Sequence, residues 1–301
     1  MDRLPNLIVI AGTNASGKSG LGVALAQRYA GEVVSADSRQ VFRGLDLGSG
    51  KITPEETRGV PHHLIDVCEP GDFFSMHDFQ RMAYEAIDGV LARGRLPFLV
   101  GGTGLYIASV TEGYVMSDAA PDLAYRAHLE TYTTPQLYEM LTIALPGVEI
   151  DGGNRNRVMR TLEKLHAGDS HVPTARPRYR CLKLGVTWER EVLRARIDAR
   201  LARRLEDGMI EEVQGLLDAG VSADFLVKLG LEYRYITQYL TGGIPDREAM
   251  LTQLGNAIRK FAKRQMTWFR RDPDMLWLDM TGDPVAQAAA AIDAFLAGDT
   301  P

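Results

Sequence analysis

Leu7-Ile8-Val9-Ile10-Ala11, followed at once by Gly12-Thr13-Asn14-Ala15-Ser16-Gly17-Lys18-Ser19, constrains this chain more than any other stretch. An apolar run without alternation is the pattern of a strand buried on both faces of a parallel sheet. The residues from Gly12 to Ser19 match G-x-x-x-x-G-K-[ST], and Leu21, Leu25 and Tyr29 continue on one helical stripe, so the order is strand, tight turn, helix. In such a turn the backbone N–H groups converge on phosphate oxygens and the helix amino terminus adds partial positive charge. Lys18 adds a full charge, and the Ser19 hydroxyl suits Mg²⁺. The loop specifies a polyphosphate ligand but not a reaction.

Further apolar runs at 33–36, 64–67, 98–100, 182–186 and 276–278 alternate with helix-length segments such as 78–91 and 189–217. Strands alternating with helices imply parallel pairing with right-handed crossovers, hence an α/β core. The alternation breaks between Asp118 and Tyr179, where Leu123, Ala127, Val158, Leu162 and Leu165 follow a helical period. The expected organisation is therefore a discontinuous core, residues 1–117 with 180–301, carrying a helical insertion over residues 118–179. The stretch 285–296 reads as a terminal helix.

A length of 301 residues suits a two-domain globular chain, and 45% hydrophobic residues exclude collagen-like and disordered classes. Cys68 and Cys181 lack C-x-x-C spacing, so neither a zinc site nor a redox motif is indicated and a reducing, cytoplasmic setting is expected. No apolar stretch reaches the roughly 20 residues of a membrane span, so no membrane partner is expected. A net charge of −5 argues against indiscriminate coating of nucleic acid, although not against a local basic groove.

Other candidates sit where strands end, which in an open α/β sheet is the ligand crevice. Asp37 closes the second apolar run, either as a general base, as a ligand of metal-bound water, or as a cap for the turn that follows. Gly101-Gly102-Thr103-Gly104 follows the strand ending at Val100 and is either a tight turn or an open backbone rim with Thr103 as its one directional hydroxyl. Within 189–217, Arg196, Arg200 and Arg204 share one stripe, either a solvated face or a row of guanidinium forks over a phosphate pocket. From Arg155 to Lys183 there are eight basic residues against two acids, and from Arg259 to Arg271 six against none. Basic charge interleaved with Trp268, Phe269 and Tyr179 fits phosphate contacts and base stacking on RNA. The alternative is a solvated basic helix, with Trp268 on a core stripe with Leu251, Leu254, Ile258 and Phe261.

Taken together, these residues resemble the bacterial tRNA dimethylallyltransferases. The resemblance runs in order through the phosphate loop, Ala36-Asp37-Ser38-Arg39-Gln40-Val41-Phe42-Arg43-Gly44, and Pro61-His62-His63-Leu64-Ile65-Asp66. It continues through Gly101 to Tyr106, Asn156-Arg157-Val158-Met159-Arg160, and Lys263-Arg264-Gln265-Met266-Thr267-Trp268-Phe269-Arg270-Arg271. It implies a P-loop NTPase-like parallel sheet core with the helical insertion gripping the tRNA anticodon stem-loop. The implied reaction moves a dimethylallyl group from dimethylallyl diphosphate to the exocyclic amine of the adenosine just 3′ of the anticodon, with Mg²⁺ as cofactor and the chain acting as a monomer.

On this resemblance Asp37 is the general base, Thr103 the hydroxyl at the reacting centre, and Arg200 a diphosphate ligand beside Gly12 to Ser19. Asp37, Ser38, Arg39, Gln40, Thr103, Arg126, Asn156, Arg157, Val158, Met159 and Arg160 fall where the family meets tRNA, as do Tyr233 and Arg234. Two departures stand out. Thr13-Asn14 replaces the usual Pro-Thr of the loop, and Gly230-Leu231-Glu232-Tyr233-Arg234 replaces the usual G-Y-[RK]-[EQ]. No zinc finger like that of the eukaryotic relatives is expected. The rivals are a small-molecule P-loop kinase, a transferase acting on free adenine nucleotides, and a nucleotide-dependent switch, which would need an N-K-x-D motif that this chain lacks.

Overall fold

A computed structural model describes residues 4–116, 122–169 and 174–298. The chain opens with β1 (Asn6–Gly12), α1 (Lys18–Arg28), β2 (Glu32–Ala36), the single turn α2 (Pro54–Thr57), β3 (His62–His63), α3 (Met76–Ala92), β4 (Pro97–Gly101) and α4 (Gly104–Thr111). It continues through β5 (Tyr114–Val115), α5 (Leu123–Glu130), α6 (Thr134–Ala144), α7 (Arg155–His166) and β6 (Thr174–Ala175). The last part comprises β7 (Arg180–Thr187), α8 (Arg190–Glu206), α9 (Met209–Asp218), α10 (Ala223–Leu229), α11 (Leu231–Leu240), α12 (Arg247–Phe269), β8 (Met275–Asp279) and α13 (Pro284–Ala297).

Six strands form one parallel sheet in the order β3-β2-β4-β1-β7-β8. β1 lies inside it, with Ile8 opposite both Phe98 and Leu182, which explains its unbroken apolar run. Ile8 and Ile10 pack with Leu21, Leu25, Ile292 and Phe295 on one face. Leu7, Val9 and Ala11 pack with Phe79, Ile87, Tyr106 and Phe269 on the other. A third cluster gathers α8 to α12 around Tyr233, Leu254 and Ile258. Side-chain caps set several helix starts, including a Ser75/Asp78 capping box at α3 and Asp246 before α12.

The chain divides into two compact units, Met1–Gly113 with Pro177–Pro301, and Tyr114–Arg176. The second has its own core of Leu129, Leu137, Leu141, Val158, Met159 and Leu162, and its β5 and β6 pair antiparallel. The expected boundary at 117/118 lies outside the described residues. Tyr179, expected in the insertion, belongs to the sheet core, where its hydroxyl donates to Asp88 at 2.7 Å.

Two element expectations change. The run 64–67 is not a strand: Leu64 and Asp66 have φ of +63° and +55°, left-handed values that no β-strand tolerates, so pairing stops at His63. The segment 189–217 is two helices, because Asp207 ends α8 and Gly208, at φ +99°, starts α9.

Candidate active site

Four strand ends build one crevice. β1 delivers the phosphate loop, β2 delivers Asp37, β4 delivers Gly101 to Gly104, and β7 leads through Trp188 into α8. The loop is held from outside through its carbonyls, with Trp188 Nε1 donating to Ser16 O at 2.8 Å and Arg196 Nε to Ala15 O at 3.0 Å. Arg196 also lies over the Trp188 ring at 4.5 Å. Ala15 adopts φ +58° and Gly17 φ +90°, the left-handed steps that wrap a loop around an anion. Lys18 curls back to donate to Thr13 O at 3.2 Å. Burial, with Arg200 and Arg39 nearby, lowers its pKa to about 8 despite the opposing pull of Asp37.

Asp37 and Thr103 are tied together by the backbone between them. Thr103 N donates to Ala36 O at 3.1 Å, and the Thr103 hydroxyl accepts the Ser38 N–H at 3.0 Å. A β-carbon at Gly101 would stand 2.1 Å from Ala36 O, so glycine is what permits β2 and β4 to end this close. Thr103 is the N-cap residue of α4 yet makes no side-chain cap bond, leaving its hydroxyl at the crevice. One Asp37 oxygen accepts the Arg39 N–H at 3.0 Å, so the carboxylate does cap its turn while lining the cleft.

That open cleft spans about 530 Å³ and is lined by Lys18, Asp37, Arg39, Thr103, Arg200 and Gln265, among others. A neighbouring cavity of about 360 Å³ shares Lys18, Ser19, Asp37 and Gln40 with it and adds an apolar wall of Val33, Ile52, Ile65 and Val100. Arg200 donates to Gly50 O at 3.1 Å, and burial together with the charge of Arg204 lowers its pKa.

Several residues that order this site went unread in the sequence. Gln265, buried on α12, accepts the Asn14 N–H at 2.9 Å and donates to Gly102 O at 2.8 Å, strapping the phosphate loop to the Thr103 loop. It lies inside the motif that ends in Trp-Phe-Arg-Arg, which is the only signal it leaves. Glu232 accepts from Arg39 at 2.6 Å and Arg204 at 3.0 Å, and those cations hold its pKa down against burial. Glu212 gathers the N–H groups of Asp46, Leu47 and Gly48 and the Tyr233 hydroxyl.

The remaining expected residues are dispersed. Arg126 and Arg160 both pair with Glu163 on the second unit, where Asn156 and Arg157 are exposed. Val158 and Met159 are core residues there, 0% and 4% exposed, because α7 turns that stripe inward; they offer RNA no surface. Tyr233 is fully buried with its hydroxyl on Glu212, so it too is closed to a macromolecule, while Arg234 is exposed and donates to Val227 O. Trp268 is 41% exposed and covers Gly104, where a β-carbon would stand 2.2 Å from its ring. Phe269, not Trp268, faces the core.

The comparisons with known proteins agree with this geometry. The IPP transferase family model matches residues 40–272, and the isopentenyl transferase model matches residues 5–68. The chain belongs to the IPP transferase family. Among members, it is 47% identical to tRNA dimethylallyltransferase 2 of Syntrophotalea carbinolica, over 93% of this chain and 96% of that one. Its identity to the enzyme of the same description from Shewanella sediminis is 44%, over 95% and 97%. The crystal structure of the full-length tRNA isopentenylpyrophosphate transferase from Bacillus halodurans superposes with a TM-score of 0.73 at 39% identity, covering 97% of this chain and 96% of that one. A eukaryotic dimethylallyltransferase acting on tRNA shares the fold, with a TM-score of 0.80 at 24% identity over 98% of this chain and 80% of that one. Family membership sets the kinase and switch readings aside.

Proposed function

We infer that this protein transfers the dimethylallyl group of dimethylallyl diphosphate to the exocyclic amine of the adenosine immediately 3′ of the anticodon in tRNA. The observation that carries this reading is one cleft holding an anion loop, a carboxylate and a hydroxyl together, beside a cavity with an apolar wall. The diphosphate belongs on the N–H groups of the Gly12–Ser19 loop with Lys18 and Arg200, and the five-carbon chain suits the wall of Val33, Ile52, Ile65 and Val100.

Adenine's exocyclic amine is a weak nucleophile because its lone pair is delocalised into the ring. As the new C–N bond forms and the allylic C–O bond breaks, the amine proton passes to the Asp37 carboxylate and the electron pair leaves with pyrophosphate. Lys18, Arg200 and the loop N–H groups stabilise the departing charge, and Thr103 orients the amine against Asp37. The target base must leave its stack to reach the cleft, at a cost of a few kcal/mol recovered through stacking and phosphate contacts.

Ser19 offers a hydroxyl oxygen at the same cleft, which suits Mg²⁺ bound chiefly through substrate phosphates and leaves Asp37 as the base. Among the described residues no group of three His, Cys, Asp or Glu makes an all-protein metal site. Mg²⁺ bound there neutralises diphosphate charge.

The Tyr114–Arg176 unit, with Asn156 and Arg157 exposed on α7, is the proposed grip for the anticodon stem-loop. We propose that the chain acts as a monomer. The free thiols Cys68 and Cys181 fit a reducing cytoplasm, and among the described residues no helix is long and apolar enough to cross a membrane. Incubation with Mg²⁺, dimethylallyl diphosphate and bulk tRNA, followed by nucleoside mass spectrometry, tests the reading. Dimethylallyl-adenosine is expected, and its absence rejects the assignment.

A further inference from the structure

The arginine row of α8 reaches three different partners. Arg196 touches the phosphate loop at Ala15 O, Arg200 touches Gly50 O, and Arg204 pairs with Glu232. Residues four apart on a helix are about 6 Å apart along its axis, so Arg204 sits roughly 12 Å further along α8 than the residue holding the loop. A diphosphate seated on Lys18 and Arg200 leaves the Arg204 end of the row for a different anion.

That end is built rather than merely basic. Glu232 is 2% exposed and divides its two oxygens between Arg39 and Arg204, whose side chains are each 12% exposed. Both arginines line the cleft. Among the described residues the buried Nε and Nη2 of Arg204 have no hydrogen-bond partner, an expensive arrangement for a guanidinium that makes only one of its bonds. Arg39 follows Asp37 by two residues and is fixed to it through its N–H, so the pair lies next to the acceptor's base. Without Glu232 these cations would repel one another and Arg200; with it they stay charged and oriented.

We propose that Arg204 and Arg39, held by Glu232, seat a backbone phosphate of the RNA adjacent to the reacting adenosine, a site separate from the one that holds the diphosphate. Glu232 is a positioning residue, and Arg204 supplies the free fork. This rests on the functional reading above, and it adds an anchor that fixes the base's backbone as the base enters the cleft.

The test measures two ligands separately on the whole protein. Filter binding of an anticodon stem-loop RNA across a salt series reads the RNA arm, and calorimetric titration with inorganic pyrophosphate and Mg²⁺ reads the diphosphate arm. Arg204→Gln is expected to weaken RNA binding about tenfold or more and to lower the slope of log affinity against log salt by about one. Pyrophosphate affinity stays within twofold. Arg204→Lys keeps a cation beside Glu232 and so guards against a folding defect. It should keep the salt slope and still bind RNA several-fold more weakly, because an ammonium lacks the fork. RNA affinity and slope unchanged in both variants would overturn the proposal, as would a loss confined to pyrophosphate. If the unmodified protein neither binds nor alkylates RNA, the functional reading fails instead.

Discussion

Two buried glutamates, one in each unit, do the same electrostatic work to different ends. Glu232 holds Arg39 and Arg204 in the crevice of the sheet unit, and Glu163 holds Arg126 and Arg160 on the helical unit. The arginines of Glu163 are 26% and 36% exposed and lie on or beside its own helix, with Arg160 three residues away in sequence. Those of Glu232 are 12% exposed and come from the loop after β2 and from α8. The first pairing trims the surface of a local helical fold; the second joins distant segments that line the proposed substrate cleft. The resemblance places Arg126 and Arg160 at tRNA, and Glu163 holds both, as Glu232 holds Arg39 and Arg204.

The largest effect expected lies outside both pairings and calibrates them. Asp37→Asn should lower single-turnover alkylation by about 10²–10⁴-fold, the usual worth of a general base, while tRNA binding changes little. Full activity in that variant would remove the proposed base.

The two glutamates can then be set against each other. Glu232→Gln leaves two desolvated guanidiniums uncompensated and should cost about 3–5 kcal/mol in urea unfolding. Glu163→Gln, whose arginines reach water, should cost no more than about 2 kcal/mol and leave pyrophosphate affinity unchanged. Equal losses would mean that burial of the glutamate, alike at the two sites, sets the cost, and that exposure of its arginines does not.

A smaller change is expected at the strap. Gln265→Leu removes two hydrogen bonds and leaves the Asn14 N–H and Gly102 O unmatched, a cost of about 1–3 kcal/mol. Because both ends are site loops, KM for dimethylallyl diphosphate should rise more than kcat falls. Gln265→Glu restores only the acceptor at Asn14 and should recover part of the affinity.

The smallest effect is a pH dependence. Lys18 in the free protein has a pKa of about 8, and a bound diphosphate raises it, so the complex holds more proton than the free protein near that pH. Pyrophosphate affinity should therefore weaken as pH rises through about 8, with proton uptake visible as a buffer-dependent calorimetric enthalpy. Lys18→Met should abolish the uptake. The same lowered value makes Lys18 a folding cost below pH 8 that fades between about 8 and its ordinary value of 10.5.

What the sequence disclosed and what it hid divide along chain distance. β1, the phosphate loop and α1 were readable because strand, turn and helix signals are contiguous, and Asp37 and Thr103 because strand ends mark the crevice. Glu232 and Gln265 were not, since their partners Arg39 and Asn14 lie 193 and 251 residues away and neither residue type carries a local signature. The false strand at 64–67 was apolar enough to pass as one, and only its left-handed backbone gives it away. Trp268 and Phe269 are adjacent aromatics on one helix, and the stripe that would place Trp268 in the core is not the buried one, because α12 turns Gln265 and Phe269 inward together.

The antiparallel pairing of β5 with β6 makes Tyr114 a neighbour of Ala175 and Val115 of Thr174, so the polypeptide departs and comes back through a doorway about 5 Å wide. A segment tethered at adjoining points can be lengthened, shortened or exchanged wholesale while the parallel sheet keeps its register. The unit between those points can therefore diverge across homologues as a removable cassette, leaving the pairing of the sheet strands untouched.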